Sequence, residues 1–147
     1  MDTLRKLFLI TFFSKSILLT PIPIDIGFKW QEIIFPEPIS AIDQRAAFYV
    51  DISSVFQDFQ EDPLFFLDRK ELLLEKIPLS TIEISLFDEE GRAILFKQQS
   101  FAFQEDKILV RLNAEEKIKV GEKYIKLKIR SAKDLQNISI IWKNYNL

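Results

Sequence analysis

One stretch near the end of the chain constrains the fold more than any other. Within the expected strand over residues 124–131, apolar and basic side chains alternate from residue 125 to residue 130. The apolar set is Ile125, Leu127 and Ile129, and the basic set is Lys126, Lys128 and Arg130. A period of two is typical of a β-strand with one face on a core and the other in water. We therefore expect a half-buried strand here, preceded by a turn at Gly121.

Further strands are predicted from similar patterns. They cover residues 28–35, 46–56, 81–87, 93–99, 107–112 and 138–142. Pro36 and Pro38 are expected to end the first of them, because proline lacks the N–H that a central strand needs. Gly91 can supply the positive φ of a hairpin turn between the strands that flank it. Seven or eight short strands predict a mainly β domain, an antiparallel β-sandwich that is Ig-like or jelly-roll-like.

Residues 57–76 are the least strand-like part of the chain. Asp62 can cap a helix that has Pro63 at its first position. Two apolar triplets, 65–67 and 72–74, would meet across two helical turns, although the apolar arc is wide for an amphipathic helix. We expect one short helix that caps an end of the sheet. The alternative is a loop whose apolar knob contacts a membrane or a partner.

The length and composition fit one globular domain without covalent cross-links. A chain of 147 residues can bury about two-thirds of its unfolded surface in a single core. Only three Gly and six Pro are present, which argues against long disordered linkers. Because the chain has no Cys and no His, disulfides, thiolate catalysis, Cys-rich zinc sites and imidazole acid–base chemistry are excluded.

The N-terminal residues predict a secretory signal. A basic start precedes the apolar run 7–13, and Ser14 and Ser16 are small residues two apart. This order is typical of a signal peptide cleaved after Ser16. We therefore expect a signal at 1–16, a single β-domain at 17–147, and a periplasmic or secreted location. An uncleaved membrane anchor and an N-terminal strand within the fold are the alternatives.

The sequence predicts neither a catalytic, metal nor cofactor site. No serine has a lysine three positions later, and the adjacent carboxylates at 61–62, 89–90 and 115–116 fall at expected turns, loops or a helix start. Oxygen ligands for Ca²⁺ occur at 88–91, but their spacing does not match an EF-hand loop. A glycine-rich phosphate loop is also missing from the sequence. We therefore expect a protein that is not an enzyme.

A basic patch in the C-terminal part is the sharpest candidate for binding. Residues 25–106 carry 17 acidic and 7 basic side chains, whereas residues 107–147 carry 4 acidic and 10 basic ones. The predicted ligand-binding residues are Lys126, Lys128 and Arg130, extended by Lys107 and Arg111, with Lys117 and Lys119 nearby. Such a face can hold an anionic polymer or an acidic protein. Alternatively, the lysines keep the sheet soluble and prevent edge-to-edge pairing.

Nucleic acid and neutral sugars are two other ligand classes, and the sequence favours them less. Nucleic acid is not predicted, because the basic face lacks interleaved aromatic residues and the chain is acidic overall. Trp30, Tyr49 and Trp142 can in principle form a platform for sugar stacking. Aromatic residues on alternating strands are, however, more often core residues or cross-strand pairs.

The order of these features resembles a known group of proteins. The chain contains, in order, an aromatic strand (AAFYV), an acidic loop into Asp62-Pro63, the segment RKELL, an alternating strand (TIEISLF) and a Gly-x-x-Tyr start of another (GEKYIKLKI). In this order, residues 46–142 are similar to small bacterial β-sandwich families of unknown function, often exported or lipid-anchored. The chain departs from them in having no Cys for a lipid anchor, and Gly121 lies three residues before Tyr124 rather than two. The resemblance implies no catalytic residues.

These observations predict a non-enzymatic binding or interaction module at the bacterial cell envelope. The expected partner is another protein or an anionic surface polymer, with membrane contact only through an uncleaved N-terminus. Two alternatives are a ligand-binding module for anionic glycans or glycolipids, and an immunity-type protein that inhibits an enzyme.

Overall fold

The computed structural model of the chain describes residues 15–56, 65–104 and 107–144. Within these residues the strands are β1 (Lys15–Leu18), β2 (Ile24–Ile26), β3 (Gln31–Ile39), β4 (Ala47–Asp51), β5 (Ile82–Asp88), β6 (Ala93–Gln104), β7 (Lys107–Ala114), β8 (Tyr124–Ser131) and β9 (Leu135–Asn144). The helix α1 covers Phe65–Lys76, and a 3-10 turn covers Ser53–Phe56. The predicted mainly β character with one short helix is confirmed.

Every strand pair is antiparallel. Hydrogen bonds connect eight strands in the order β1-β9-β4-β7-β6-β5-β8-β3, and β2 pairs with the first part of β9. The sheet curls into a half-barrel. The predicted sandwich is therefore not confirmed, because the strands form one continuous hydrogen-bonded path.

The short connection between β8 and β9 explains why the sheet curls. Ser131 ends β8 and Leu135 begins β9, so four residue steps join the strands and span at most about 14 Å. Five strand spacings separate β8 from β9 in the sheet order, which on a flat sheet would be about 24 Å. The two ends of the sheet must therefore approach each other. The backbone N–H of Ser131 also donates to the carbonyl oxygen of Gly27 over 2.8 Å, which ties β8 to the segment after β2.

The inner face of the curled sheet carries the core. Phe48 on β4 lies 4.8 Å, between ring centroids, from both Phe96 on β6 and Trp142 on β9. All three rings are fully buried. Leu73 of α1 and the adjacent Ile77 belong to the same core, so the helix packs onto the sheet. Among the described residues, no helix has the length and apolar character needed to cross a bilayer.

Several predicted element boundaries differ from those in the structure, and the predicted start of the helix lies outside the described residues. β3 continues through Pro36 and Pro38 to Ile39 instead of ending at Pro36. Proline is tolerated here because β3 is at the end of the sheet order, and its register with β8 shifts between Ile34 and Ile39. The strand predicted over 46–56 ends at Asp51, whose Oδ1 accepts from the N–H of the first residue of the 3-10 turn. Asp62 and Pro63, predicted to begin the helix, are outside the described residues.

The predicted strand over 124–131 is confirmed, but its inner face differs at one end. Leu127 and Ile129 lie in the core as predicted, whereas Tyr124 is buried and Ile125 is only half-buried. The register between β5 and β8 shifts next to Asp88. Such an irregularity changes which residues face inward. The alternation therefore extends only through the second half of the strand.

The predicted signal cleavage position lies within β1. The four residues of this strand pair with residues 141–144 of β9. Cleavage after Ser16 would remove Lys15 and Ser16 and leave Ile17 and Leu18 paired. Removal of 1–16 would thus shorten the strand to half its length.

Candidate functional site

The predicted basic ladder lies on the outer face of the sheet, opposite the core residues of β8. Lys126, Lys128 and Arg130 are half-buried between β3 and β5. We call this surface the β8 face; its members are Trp30, Glu32, Ile34, Glu83, Ser85, Phe87, Lys126, Lys128 and Arg130. The structure therefore brings together the three predicted ligand residues that lie on β8.

Carboxylates from both neighbouring strands compensate much of the ladder's charge. Lys126 Nζ lies 3.5 Å from Glu32 Oε2, and Arg130 Nη2 lies 3.4 Å from Glu83 Oε1. Pairs this long and this exposed contribute little to stability. Within the described part of the chain, Lys128 belongs to none of the ion pairs. The ladder is thus a mixed-charge surface rather than a purely basic one.

Two aromatic rings lie among these cations. The Arg130 guanidinium lies 4.4 Å from the ring centroid of Trp30, and the ammonium groups of Lys126 and Lys128 each lie 5.4 Å from that of Phe87. Distances below about 6 Å are favourable for cation–π attraction. The rings hold the basic side chains close to the sheet, so the β8 face combines fixed charges with apolar surface.

β3 borders the β8 face, and exposed apolar side chains lie on β3 and just before it. Among the described strands it pairs only with β8. The exposed fraction is 79% for Phe28, 70% for Ile34 and 40% for Trp30. An edge strand with exposed apolar residues is a place where another chain can pair. Pro36 and Pro38 limit such pairing to the first part of β3.

The remaining predicted ligand residues are not in this patch. Lys107 and Arg111 lie on β7, which β6 and β5 separate from β8. Lys107 lines a groove of about 490 Å³ together with Tyr49 and Lys143. Arg111 and Lys143 lie 5.9 and 5.5 Å from the ring centroid of Tyr49. The single patch predicted from the sequence is therefore wrong in extent, because strand order places its members in two areas.

The aromatic platform considered from the sequence does not form. Trp142 is fully buried in the core beside Phe48. Trp30 lies on the β8 face, and Tyr49 lies on β4, beyond β7, β6 and β5. The more common role of such residues, core and cross-strand packing, describes Trp142 correctly.

A polar cluster lies at one end of the sheet, where the β5–β6 turn meets the loop before β8. Arg92 donates from Nε to Asp88 Oδ2 over 3.0 Å and from Nη2 to Glu122 Oε1 over 3.1 Å, and it also pairs with Glu90. Burial acts to raise the pKa of Asp88, but hydrogen bonds with Glu122 and with backbone N–H groups of the turn lower it below its usual value. The hydrogen bond with Asp88, followed by burial, raises the pKa of Glu122. Burial likewise raises the pKa of Tyr124.

Comparison with protein-family models, curated proteins and solved structures gives no match. The resemblance to exported β-sandwich families therefore stays a prediction.

Proposed function

We propose that the protein is a non-enzymatic binding module of the bacterial cell envelope and that its partner is an extended segment of another protein. This segment pairs with the open edge of β3. The observation that supports the proposal is an edge strand with exposed apolar side chains: Ile34 within β3 is 70% exposed, and Phe28 just before β3 is 79% exposed. Natural edges are usually protected by lysine, proline or a bulge. On β3, Pro36 and Pro38 supply that protection only beyond Phe35.

The charges of the β8 face favour a protein partner over a polyanion. A polyanion would meet Glu32 and Glu83, which already compensate Lys126 and Arg130. An added strand can instead place a basic side chain opposite Glu32 and an apolar one opposite Ile34. The proposed partner segment is therefore extended, with alternating apolar and basic side chains. Its main-chain hydrogen bonds supply affinity, and these side chains supply specificity.

An anionic glycan is the second candidate. Two features favour it. Within the described residues Lys128 is in no ion pair with a carboxylate, and Trp30 is 40% exposed. A negatively charged sugar can place its acidic group at Lys128 and stack its ring on Trp30. Lys128→Glu would then abolish binding, whereas a protein strand held at the edge of β3 would lose only part of its affinity.

The envelope location is supported by the basic and apolar N-terminal sequence. The intact mass of the protein from fractionated host cells tests it. A species in the envelope fraction that lacks the N-terminal residues supports export, and a full-length species that sediments with membrane supports an anchor. A full-length species in the cytosol contradicts the proposed location.

Site-specific photo-crosslinking tests the proposed binding surface. A photoreactive phenylalanine analogue at position 28 of the full-length protein should give one discrete adduct in the host. The same analogue at position 103 is the control, because Phe103 is also an exposed aromatic but lies on β6. Glu32→Lys should reduce the position-28 adduct several-fold by repelling the basic partner segment. Glu89→Lys, in the exposed β5–β6 turn, should not.

The fate of the adduct distinguishes the candidates. If trypsin digests the adduct and the crosslinked peptide contains basic and apolar residues, the protein partner is supported. An adduct that resists protease but yields to glycosidase supports the glycan. Equal labelling at positions 28 and 103, or an adduct unchanged by Glu32→Lys, contradicts binding at the edge of β3.

A further inference from the structure

Three carboxylates converge at the end of the sheet that holds the β5–β6 turn. They belong to Asp88, the last residue of β5, to Glu90 in the turn, and to Glu122 just before β8. One oxygen from each lies within 4.8 Å of the others. The residues are up to 34 positions apart in the chain, so the sheet brings them together.

The turn fixes one of these carboxylates in advance. Asp88 Oδ1 accepts hydrogen bonds from the backbone N–H groups of Glu90 and Arg92, each over 2.9 Å. Gly91 closes the turn with φ of 83°, and its N–H donates to the Asp88 carbonyl oxygen over 3.2 Å. Asp88 is only 4% exposed. Its carboxylate is therefore held by backbone geometry rather than by flexible side chains.

Arg92 is the cation that the cluster contains. It pairs with all three carboxylates, so it brings one positive charge to three acidic groups. Its side chain is 59% exposed, whereas that of Asp88 is 5% exposed. A long, exposed side chain can move into solvent without disturbing the core. Arg92 can therefore give up its place to a more highly charged ion.

A buried hydroxyl independently indicates a ligand at this position. Tyr124 is 1% exposed, and within the described part of the chain its hydroxyl has no hydrogen-bond partner. Tyr124 lines a cavity of about 340 Å³ together with Asp88, Arg92 and Glu122. A buried hydroxyl that lacks a partner is destabilising, and a polar group in this cavity would relieve that cost.

We propose that Asp88, Glu90 and Glu122 bind a Ca²⁺ ion, with Arg92 displaced into solvent. Ca²⁺ binds oxygens at about 2.3–2.6 Å, so oxygens on opposite sides of the ion are about 4.6–5.2 Å apart. The separations in this cluster, within 4.8 Å, fit that size. Ca²⁺ is preferred to Mg²⁺ in the proposal because Ca²⁺ accepts flexible geometry, whereas Mg²⁺ demands near-ideal octahedral geometry with bonds of about 2.0–2.1 Å. Water completes the shell, and one coordinated water accepts the hydrogen bond of the Tyr124 hydroxyl.

Calorimetric titration of the EDTA-treated full-length protein with CaCl₂ tests the proposal. We expect saturable one-to-one binding with a Kd of about 0.1–1 mM, the range of extracellular calcium modules. Glu122→Gln should weaken binding at least about tenfold, because it removes a charged oxygen ligand. Glu116→Gln is the matched control, since Glu116 lines the same cavity but is not in the carboxylate cluster. Arg92→Gln should tighten binding about fivefold or more by removing the competing cation.

Each result supports or contradicts the site. Absence of saturable heat up to about 10 mM Ca²⁺, far above the expected Kd, overturns it. Equal losses of Ca²⁺ affinity in Glu122→Gln and Glu116→Gln also overturn it, because they indicate a general effect of negative charge rather than a ligand role for Glu122. Affinity that is unchanged in Arg92→Gln contradicts the displacement of Arg92. If Glu122→Gln fails to fold, Glu90→Gln tests the same ligand set from an exposed turn position.

Discussion

Gln98 connects the sheet to the end of α1, because its Nε2 donates to the carbonyl oxygen of Ile77 over 3.2 Å. The Oε1 of the same side chain accepts from the backbone N–H of Ile82 over 3.3 Å. Gln98 is buried, and the register between β6 and β7 shifts next to it. One buried amide thus forms hydrogen bonds with the carbonyl oxygen of the residue after the helix and with the N–H of the first residue of β5.

Replacing this amide by an apolar side chain should destabilise the protein. Gln98→Met keeps the length of the side chain but leaves the Ile77 carbonyl and the Ile82 N–H without this partner. We expect the free energy of unfolding to fall by about 2 kcal/mol, measured by urea denaturation. Gln99→Met, at the neighbouring exposed position, should change it by less than about 0.5 kcal/mol.

Phe48 should be the most sensitive phenylalanine of the aromatic core. Its ring contacts both Phe96 and Trp142 with centroid distances of 4.8 Å. Phe48→Ala should lower the free energy of unfolding by about 3–5 kcal/mol, because it leaves a cavity between two large rings. Phe28→Ala removes the same group from a 79% exposed position and should cost less than about 0.5 kcal/mol. Similar losses in the two variants would contradict the assignment of Phe48 to the core.

Tyr124→Phe should stabilise the metal-free protein. The substitution removes a buried hydroxyl that has no hydrogen-bond partner in the described chain and keeps the buried ring. We expect a gain of about 1 kcal/mol in urea denaturation with EDTA present. Tyr124→Leu, which also removes ring volume, should instead be destabilising. A loss of stability in Tyr124→Phe would mean that the hydroxyl makes a favourable interaction in solution.

Substitutions of Gly91 should follow backbone preference rather than side-chain size. The residue has φ of 83°, and a Cβ built there meets no atom within 4 Å. Gly91→Ala should therefore cost about 1 kcal/mol through conformational strain alone. Gly91→Asn should cost less, since asparagine adopts positive φ more readily, and Gly91→Val should cost more. Thermal unfolding of the three variants measures this order; equal costs would contradict it.

The Asp43–Arg45 pair should make a small part of the stability depend on acid pH. The side-chain hydrogen bond from Arg45 is the largest influence on the pKa of Asp43 and lowers it below the usual 3.8. Burial acts in the opposite direction, and a backbone hydrogen bond from Arg45 lowers the pKa further. The folded protein therefore binds this proton less tightly than the unfolded chain does. The stabilisation is present above the unfolded pKa and is lost as the pH falls through the folded pKa.

The variant Asp43→Asn isolates this effect. At neutral pH it should be less stable than the original protein by less than about 1 kcal/mol, because the pair is partly exposed. That difference should shrink as the pH is lowered below about 4, near the pKa of a free aspartate. Urea denaturation at several pH values measures it. A difference that stays constant with pH would show that the carboxylate charge does not contribute.

Local sequence patterns predicted the strands β3 to β9, but not β1 and β2 and not the arrangement of the sheet. The alternation of β8 and the turn at Gly91 can be recognised because hydrogen-bonded neighbours and turn residues lie close in sequence. The passage of β3 through Pro36 and Pro38 could not be recognised, because it depends on β3 being at the edge. The inward position of Tyr124 depends on a register shift against β5, which the sequence of β8 alone does not contain.

Only part of the candidate site could be predicted from the sequence, because local patterns show where a side chain points but not what it contacts. The outward direction of Lys126, Lys128 and Arg130 follows from period two. Their carboxylate and aromatic neighbours, Glu32, Glu83, Trp30 and Phe87, lie 39 or more positions away in the chain. Cross-strand register decides such contacts, and no local pattern encodes it. The convergence of Asp88 with Glu122 was missed on the same physical grounds.

The sheet order also determines when the protein can fold as it leaves the ribosome. β1, β2 and β4 pair with β9, β4 also pairs with β7, and β3 pairs with β8, so among residues 15–51 no two of the described strands pair with each other. β4 can pair with β7 once residue 114 has been synthesised, and β3 with β8 once residue 131 has. β1 and β2 must remain without β9 until residues 135–144 have been synthesised. Long-range pairing of this kind also folds slowly. β1 and β2 therefore stay unpaired longest during synthesis, and a molecular chaperone or a translocation channel would meet them in that form.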